Sequence, residues 1–318
     1  MLGPALYLAE LAFSCVWSLG EAAAACMRYQ ELPPDPFTPQ VLDDVETNGF
    51  YTEIPERPAL QRRASHVVAE LPYRFVSERR RVSHRVVARI VPARRPARRL
   101  LVVFHCYGAP FPRVMSRLFG LSALDSVDVA FAIMNHHQRA TYPLWPGTGL
   151  VSPSPAHMLE NVRASIAGAR TLVRALGHGY EHVSVLGFSI GGHLAMHVAN
   201  TERVDRAVLY CPVVCVDRVS RELGLMRALH PHIVRAAHAL DLGYRPEILQ
   251  LANPLRYPLG IDEERVDVVA QRNDALTPLA HVRSIRDKYP RVGWHELEGA
   301  HVIPFGISRV RELVRSAA

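Results

Sequence analysis

Three residues of this chain have the types and the order that acyl-transfer chemistry requires: Ser189 in GFSIG, Asp274 in QRNDALTP and His301 in LEGAHVIPF. A serine hydroxyl is a poor nucleophile near neutral pH. It needs a base to take its proton, and the base needs a carboxylate to orient it. Gly187 and Gly191 flank the serine where a tight turn leaves no room for a side chain, and Gly192 lets the next helix pack closely. Such a turn holds the Ser189 hydroxyl clear of a sheet. It also aims the backbone N–H of Ile190 toward a developing oxyanion, aided by the first turn of a helix. Short GxSxG strings arise by chance in ordinary loops, so the weight of the pattern rests on its surroundings.

Those surroundings fit. Residues 182–188 are apolar and β-branched enough for a buried strand, whereas residues 190–199 carry helix formers and an apolar face, so the periodicity changes at Ser189. Asp274 falls just past a strand over 265–271, and His301 just past one around 294–297. Loops at the carboxyl ends of parallel strands converge on one edge of the sheet, where residues remote in sequence can meet. Asp274 has a second reading, as the cap of a helix with Thr277 and Pro278 as its early residues. Asp217, after the preceding strand, is the rival acid.

Strands and helices alternate through the middle of the chain: strands at 100–104, 127–137, 182–188 and 204–214, helices at 156–176 and 190–200. This predicts an α/β fold, a mostly parallel sheet with helices on both faces. Residues 66–76 and 81–91 read as an antiparallel pair joined at SERRR. A final helix begins near Ile307. Residues 217–256 read as short helices broken at Pro231, Gly243 and Pro246, a helical cap inserted over the site. No internal repeat is visible.

A chain of 318 residues with 49% apolar content suits one such domain, here residues 41–318. Residues 1–40 are set apart as an N-terminal helix, Leu6 to Met27, and a proline-rich linker over 31–40. The helix is apolar and alanine-rich, but Glu10 and Glu21 leave only ten residues between them, too few to span a bilayer. No basic residue precedes the run, which argues against a signal peptide. The expectation is packing on the enzyme body or on a second subunit of a homo-oligomer.

The net charge is +7, and Lys288 is the only lysine. Twelve arginines against Glu70 and Glu78 fall between Arg62 and Arg99, a local excess of ten that exceeds the charge of the whole chain. Such a strip could meet nucleic acid or an acidic carrier. A charged sheet edge that resists aggregation is the plainer reading, and no nucleic-acid partner is expected. Five cysteines (15, 26, 106, 211 and 215) form no CxxC pair, and their odd number argues against a disulfide framework. That points to a cytoplasmic protein, with export the alternative. Cys211 and Cys215, four apart on the expected strand 204–214, could share a face as metal ligands, but buried thiols are the simpler reading. His193 and His197 are also four apart, without the glutamate of an HExxH motif, so packing or exposure is expected. No metal is required.

The second oxyanion donor should come from FHCYGAP, residues 104–110, with the backbone N–H of Tyr107 as the candidate and His105 bracing the loop. His136 and His137, ending the strand that starts at Val127, are candidates for substrate contact. Met226, with Leu223, Leu225, Leu229, Ile233 and Leu240, would give the cap an apolar surface for an acyl or alkyl group, or form its own core. His230, His232 and His238 read as surface groups.

The elbow, the positions of Asp274 and His301, and the loop after LLVVF together resemble the alpha/beta-hydrolase superfamily over about residues 66–318. In relatives of this kind the loop often reads HGFG or HGGG; here Cys106 stands in place of the glycine after the histidine. The resemblance implies hydrolysis of an ester, thioester or amide through an acyl-serine intermediate, without metal or organic cofactor, on a small-molecule ester or thioester. Transfer of the acyl group to an alcohol or amine would use the same residues. A noncatalytic scaffold is the reading from another class.

Overall fold

The computed structural model describes residues 38–63, 66–71, 73, 75, 85–107, 112–134, 150, 155–222, 246–301 and 306–318. The helix expected at Leu6–Met27, the bend at SERRR and most of the expected cap lie outside the described residues.

The described strands form one nine-stranded sheet: β1 (Leu60–Arg63), β2 (His66–Glu70), β3 (Arg85–Val91), β4 (Arg99–Phe104), β5 (Val127–Ile133), β6 (His182–Phe188), β7 (Arg206–Tyr210), β8 (Val266–Gln271) and β9 (Gly293–Leu297). Their order is β1-β2-β3-β5-β4-β6-β7-β8-β9. β1, β2 and β3 run antiparallel to their neighbours, and the strands from β5 to β9 are parallel. The central strands are nearly unbroken apolar runs because both faces are covered. Along β4, Leu100, Val102 and Phe104 enter one core while Leu101 and Val103 enter the other, the two-residue alternation of a pleated strand.

Helices α1 (Thr38–Asn48), α3 (Pro155–Gly177) and α4 (Ile190–Thr201) contribute to the first core. Helices α2 (Pro112–Phe119) and α7 (Ile307–Ala317) contribute Met115, Phe119, Val310, Leu313 and Val314 to the second. Between them in sequence come the short α5 (Val216–Glu222) and α6 (Leu279–Lys288). Helix α1 begins inside the proline-rich stretch. Pro39 stands in its first turn, where a missing N–H costs nothing.

Several boundaries differ from the sequence reading. The strand expected over 204–214 stops at Tyr210, because Cys211 takes a positive φ of 44° that no ladder accommodates. Cys211 and Cys215 therefore sit beyond the strand, not on one of its faces. The strand expected over 127–137 ends at Ile133, and residues 135–137 lie outside the description. The first strand of the antiparallel pair ends at Glu70, with Leu71, Tyr73 and Phe75 outside it, residues 81–84 of the second lie outside the described residues, and β1 and α2 are additions to the sequence reading. Of the expected cap, α5 and two 3-10 segments at Pro246–Ala252 and Pro254–Arg256 are described.

Segment 49–56 is held by side chains from α3. Arg163 donates to the carbonyls of Gly49 and Phe50, Arg170 to Thr52 and Arg174 to Ile54, at 2.8 to 3.1 Å. Asp44 and Glu202 balance the charges. Backbone carbonyls must find donors when no strand pairs with them, and the arginines supply them. Within the basic strip, β1 is an edge strand with Arg62 and Arg63 exposed, and Arg85, Arg94 and Arg98 pair with Glu70, Asp125 and Glu181. Arg74 and residues 79–81 lie outside the described residues.

Candidate active site

Ser189 links β6 to α4, the point where the two-residue period gives way to the helical one. Its backbone sits at φ 57°, ψ −116°, a conformation that L residues rarely adopt and that marks stored strain. The surroundings determine it. Ser189 N–H donates to the Tyr210 carbonyl at 2.9 Å, and its own carbonyl accepts from Val213 N–H at 3.0 Å and His193 N–H at 3.2 Å. Although Ser189 is the N-cap of α4, its hydroxyl makes no capping bond to the helix.

Glycine is required around it by contact. A Cβ on Gly187 would lie 2.2 Å from the Gly191 carbonyl oxygen, and one on Gly191 would lie 2.2 Å from the Phe104 carbonyl oxygen and 2.6 Å from that of His105. At Gly192 it would lie 2.8 Å from the Pro212 Cβ. The turn is therefore pressed against the loop leaving β4. That loop and β6 are adjacent because Phe104 pairs with Gly187 across the sheet.

Asp274 and His301 meet, as their positions at the ends of β8 and β9 predict. His301 Nδ1 and Asp274 Oδ2 are 2.7 Å apart and both residues are buried. The carboxylate is held on every side. Oδ1 accepts from Leu276 N–H at 2.8 Å and Thr277 N–H at 2.6 Å, and Oδ2 also accepts from the Thr277 hydroxyl at 2.6 Å. Asp274 thus holds the turn that leads into α6, whose N-cap is Pro278, so Thr277 and Pro278 precede the helix and are not its first residues. The other face of the pair looks toward the elbow: the His301 ring lies 5.2 Å from the ring of Phe188, the residue before Ser189. Asp217, the rival acid, is buried in the first turn of α5.

Cys211 Sγ, an Asp274 oxygen and a His301 nitrogen lie within 4.8 Å of one another, which resembles a ligand set. The donor chemistry does not suit a cation. Four hydrogens already occupy the roughly four lone-pair positions of Asp274, and His301 Nδ1 is committed to it. Cys215 accepts from Asn253 Nδ2 at 3.3 Å.

His105 braces the loop. Its Nε2 accepts from Met134 N–H at 3.3 Å, so Nδ1 carries the hydrogen and donates to the Cys106 carbonyl at 2.6 Å. Burial lowers its pKa to about 4, so it stays neutral. Tyr107 follows in the turn after β4, partly buried, and Ile190 is the buried first residue of α4. Burial pushes the Cys106 thiol up to about 11, which keeps it uncharged where it packs against the second core. His193 and His197 are core residues: His193 bonds the Val213 carbonyl at 2.9 Å, and His197 the Ala252 carbonyl at 3.0 Å and the Tyr51 hydroxyl at 2.8 Å. His136, His137 and Met226 lie outside the described residues.

Sequence reasoning missed the Thr277 hydroxyl and the approach of Gly191 to the β4 loop. The first had a signal in the Asp-x-x-Thr spacing, which suits side-chain hydrogen bonding at a helix start. The second had none, since it depends on which strands are neighbours.

The sheet order, the elbow after β6 and the acid and histidine after β8 and β9 make this an alpha/beta-hydrolase fold. Solved structures agree. Over 92% of this chain and 99% of its own length, an acetyl xylan esterase from Paenibacillus sp. R4 is similar with a TM-score of 0.54 at 13% identity. An acetyl xylan esterase from Thermoanaerobacterium sp. JW/SL YS485 is similar over 89% of this chain and 93% of its own, with a TM-score of 0.50 at 15% identity. No protein-family model and no curated protein sequence matches the chain. Among the described residues no helix is long and apolar enough to cross a membrane.

Proposed function

We propose that the protein is a serine hydrolase that cleaves a carboxylic ester or thioester of a small molecule through an acyl-serine intermediate. The observation that carries this reading is the buried Asp274–His301 pair, 2.7 Å apart and packed on Phe188, the residue that precedes a serine held at positive φ with no capping bond. In this mechanism His301 takes the proton from the Ser189 hydroxyl as it attacks the carbonyl carbon, and later returns it to the leaving group. Asp274 fixes the tautomer: Nδ1 keeps its hydrogen against Oδ2, so Nε2 is the nitrogen that acts as the base. The backbone N–H groups of Ile190 and Tyr107 stabilise the oxyanion of the tetrahedral intermediate. Water then attacks the acyl-serine with His301 as base again. No step calls for a metal or an organic cofactor. In this reading residues 217–256 cap the site, and His136, His137 and Met226 contact the substrate.

A fluorophosphonate probe tests the proposal, because it reacts with an activated serine whatever the natural substrate. The wild type should label and Ser189→Ala should not, while a folded, unlabelled wild type would defeat the reading. Rates on a chain-length series of p-nitrophenyl esters and acyl thioesters then define the acyl group.

A further inference from the structure

The Thr277 side chain is not part of the catalytic scheme above, yet its hydroxyl lies among three groups of that site. It is 2.6 Å from Asp274 Oδ2, 3.3 Å from His301 Nδ1 and 3.3 Å from the Cys211 carbonyl oxygen. A hydroxyl donates once, and the short contact to the carboxylate takes that hydrogen. Thr277 is buried, its own N–H grips Asp274 Oδ1 at 2.6 Å, and Pro278 fixes the backbone behind it. Cys211, besides Ser189 the other non-glycine residue with positive φ among those described, turns its carbonyl toward the same hydroxyl.

We propose that Thr277 is a positioning residue of the triad, whose hydroxyl orients the Asp274 carboxylate toward His301 and limits the pull of Oδ2 on the imidazole proton. The inference rests on the triad reading. Oδ2 carries two hydrogen bonds, one from Thr277 and one from His301 Nδ1. Each disperses part of the carboxylate charge, so the Thr277 bond weakens what remains for His301. Without the hydroxyl, Oδ2 would stabilise the imidazolium more strongly and His301 would hold its proton to higher pH. Among the described residues, the Cys211 thiol, within 4.8 Å, and the Tyr210 phenol, which burial keeps protonated far above the working range, also face the pair. Asp274 is the carboxylate in direct contact with His301.

The test compares Thr277→Val, which keeps the shape and removes the donor, with Thr277→Ser, which keeps the donor. The dependence of kcat/KM on pH from 5 to 9, with p-nitrophenyl acetate as probe, reports the free-enzyme histidine. In Thr277→Val the acid limb should move up by about half a pH unit and the plateau should fall by about 10-fold. Thr277→Ser should restore the limb and bring the plateau to within about 2-fold of wild type. A lower plateau with an unmoved limb would reduce Thr277 to a packing residue and overturn the proposal, as would a limb shifted downward or a serine variant that fails to rescue. If thermal melts show that Thr277→Val does not fold, Thr277→Ala is read against the same criteria. If Ser189→Ala and His301→Ala retain activity, the triad reading itself fails. If both lose activity while Thr277→Val keeps the wild-type limb, this inference alone fails.

Discussion

Replacing Gly191 by alanine should disable the proposed hydrolase activity without touching any residue of the proposed triad. The added Cβ would lie 2.2 Å from the Phe104 carbonyl oxygen and 2.6 Å from the His105 carbonyl oxygen. A comfortable carbon–oxygen contact is about 3.3 Å, so the elbow must retreat from the β4 loop by about 1 Å. Both neighbours are backbone, at the end of β4 and in the loop that leaves it, and cannot turn aside as a side chain would. A displacement of that size at a reacting atom costs about 100-fold in rate. The residual strain should lower stability by about 1–3 kcal/mol, or roughly 3–10 °C in Tm. Gly168→Ala provides the contrast within the same fold. Its Cβ would meet nothing closer than 3.6 Å, from Val86, and it lies inside α3, where alanine is favoured by about 0.5–1 kcal/mol. The second-order rate of fluorophosphonate labelling and the melting temperature should be measured for both. Gly191→Ala should label about 100-fold slower, and Gly168→Ala at the wild-type rate with an equal or higher Tm. Wild-type labelling by Gly191→Ala would show that the elbow does not depend on this backbone contact.

Acid should destabilise the protein well before its carboxylates titrate. Burial lowers His105 and His193 from 6.5 to about 4, so the unfolded chain binds more protons between those values; their stabilisation is present above pH 6.5 and is lost as pH falls toward 4. By pH 5 each should have lost about 2 kcal/mol, with His197 adding in the same direction. Urea midpoints that stay flat between pH 7.5 and 5 would contradict this. Glu202→Ala should cost about 3–5 kcal/mol, since it strips the carboxylate from the buried Arg170 and the neighbouring Arg174, whereas Glu181→Ala, at the exposed pair with Arg98, should leave the urea midpoint unchanged. Equal midpoints for the two variants would count against a structural role for the arginine ladder.

Much of the fold was legible in the chain because its central strands are short apolar runs between amphipathic helices. β6 and the start of α4 fall where the periodicity changes, and β8 and β9 end just before the acid and the histidine. Less legible were elements whose stability is not in their own pattern. β1 reads LQRR, with three of its four residues exposed, and is a strand because β2 offers it a ladder. Cys211 ends β7 through its backbone conformation, although CPVV continues an apolar run. Segment 49–56 is ordered by arginines more than 100 positions away, which no local window contains.

The sequence by itself determined the chemistry on offer: a serine between glycines at a strand-to-helix switch, followed in order by an aspartate and a histidine after later strands. Residue type and local periodicity suffice for that, since both are properties of short stretches. Only the tertiary structure decided that Asp274 meets His301, that Thr277 completes the carboxylate's hydrogen bonds, and that Gly191 touches the loop after β4. Those are consequences of strand order, which places the ends of β4, β6, β8 and β9 along one edge of the sheet and so brings together groups that the chain keeps far apart.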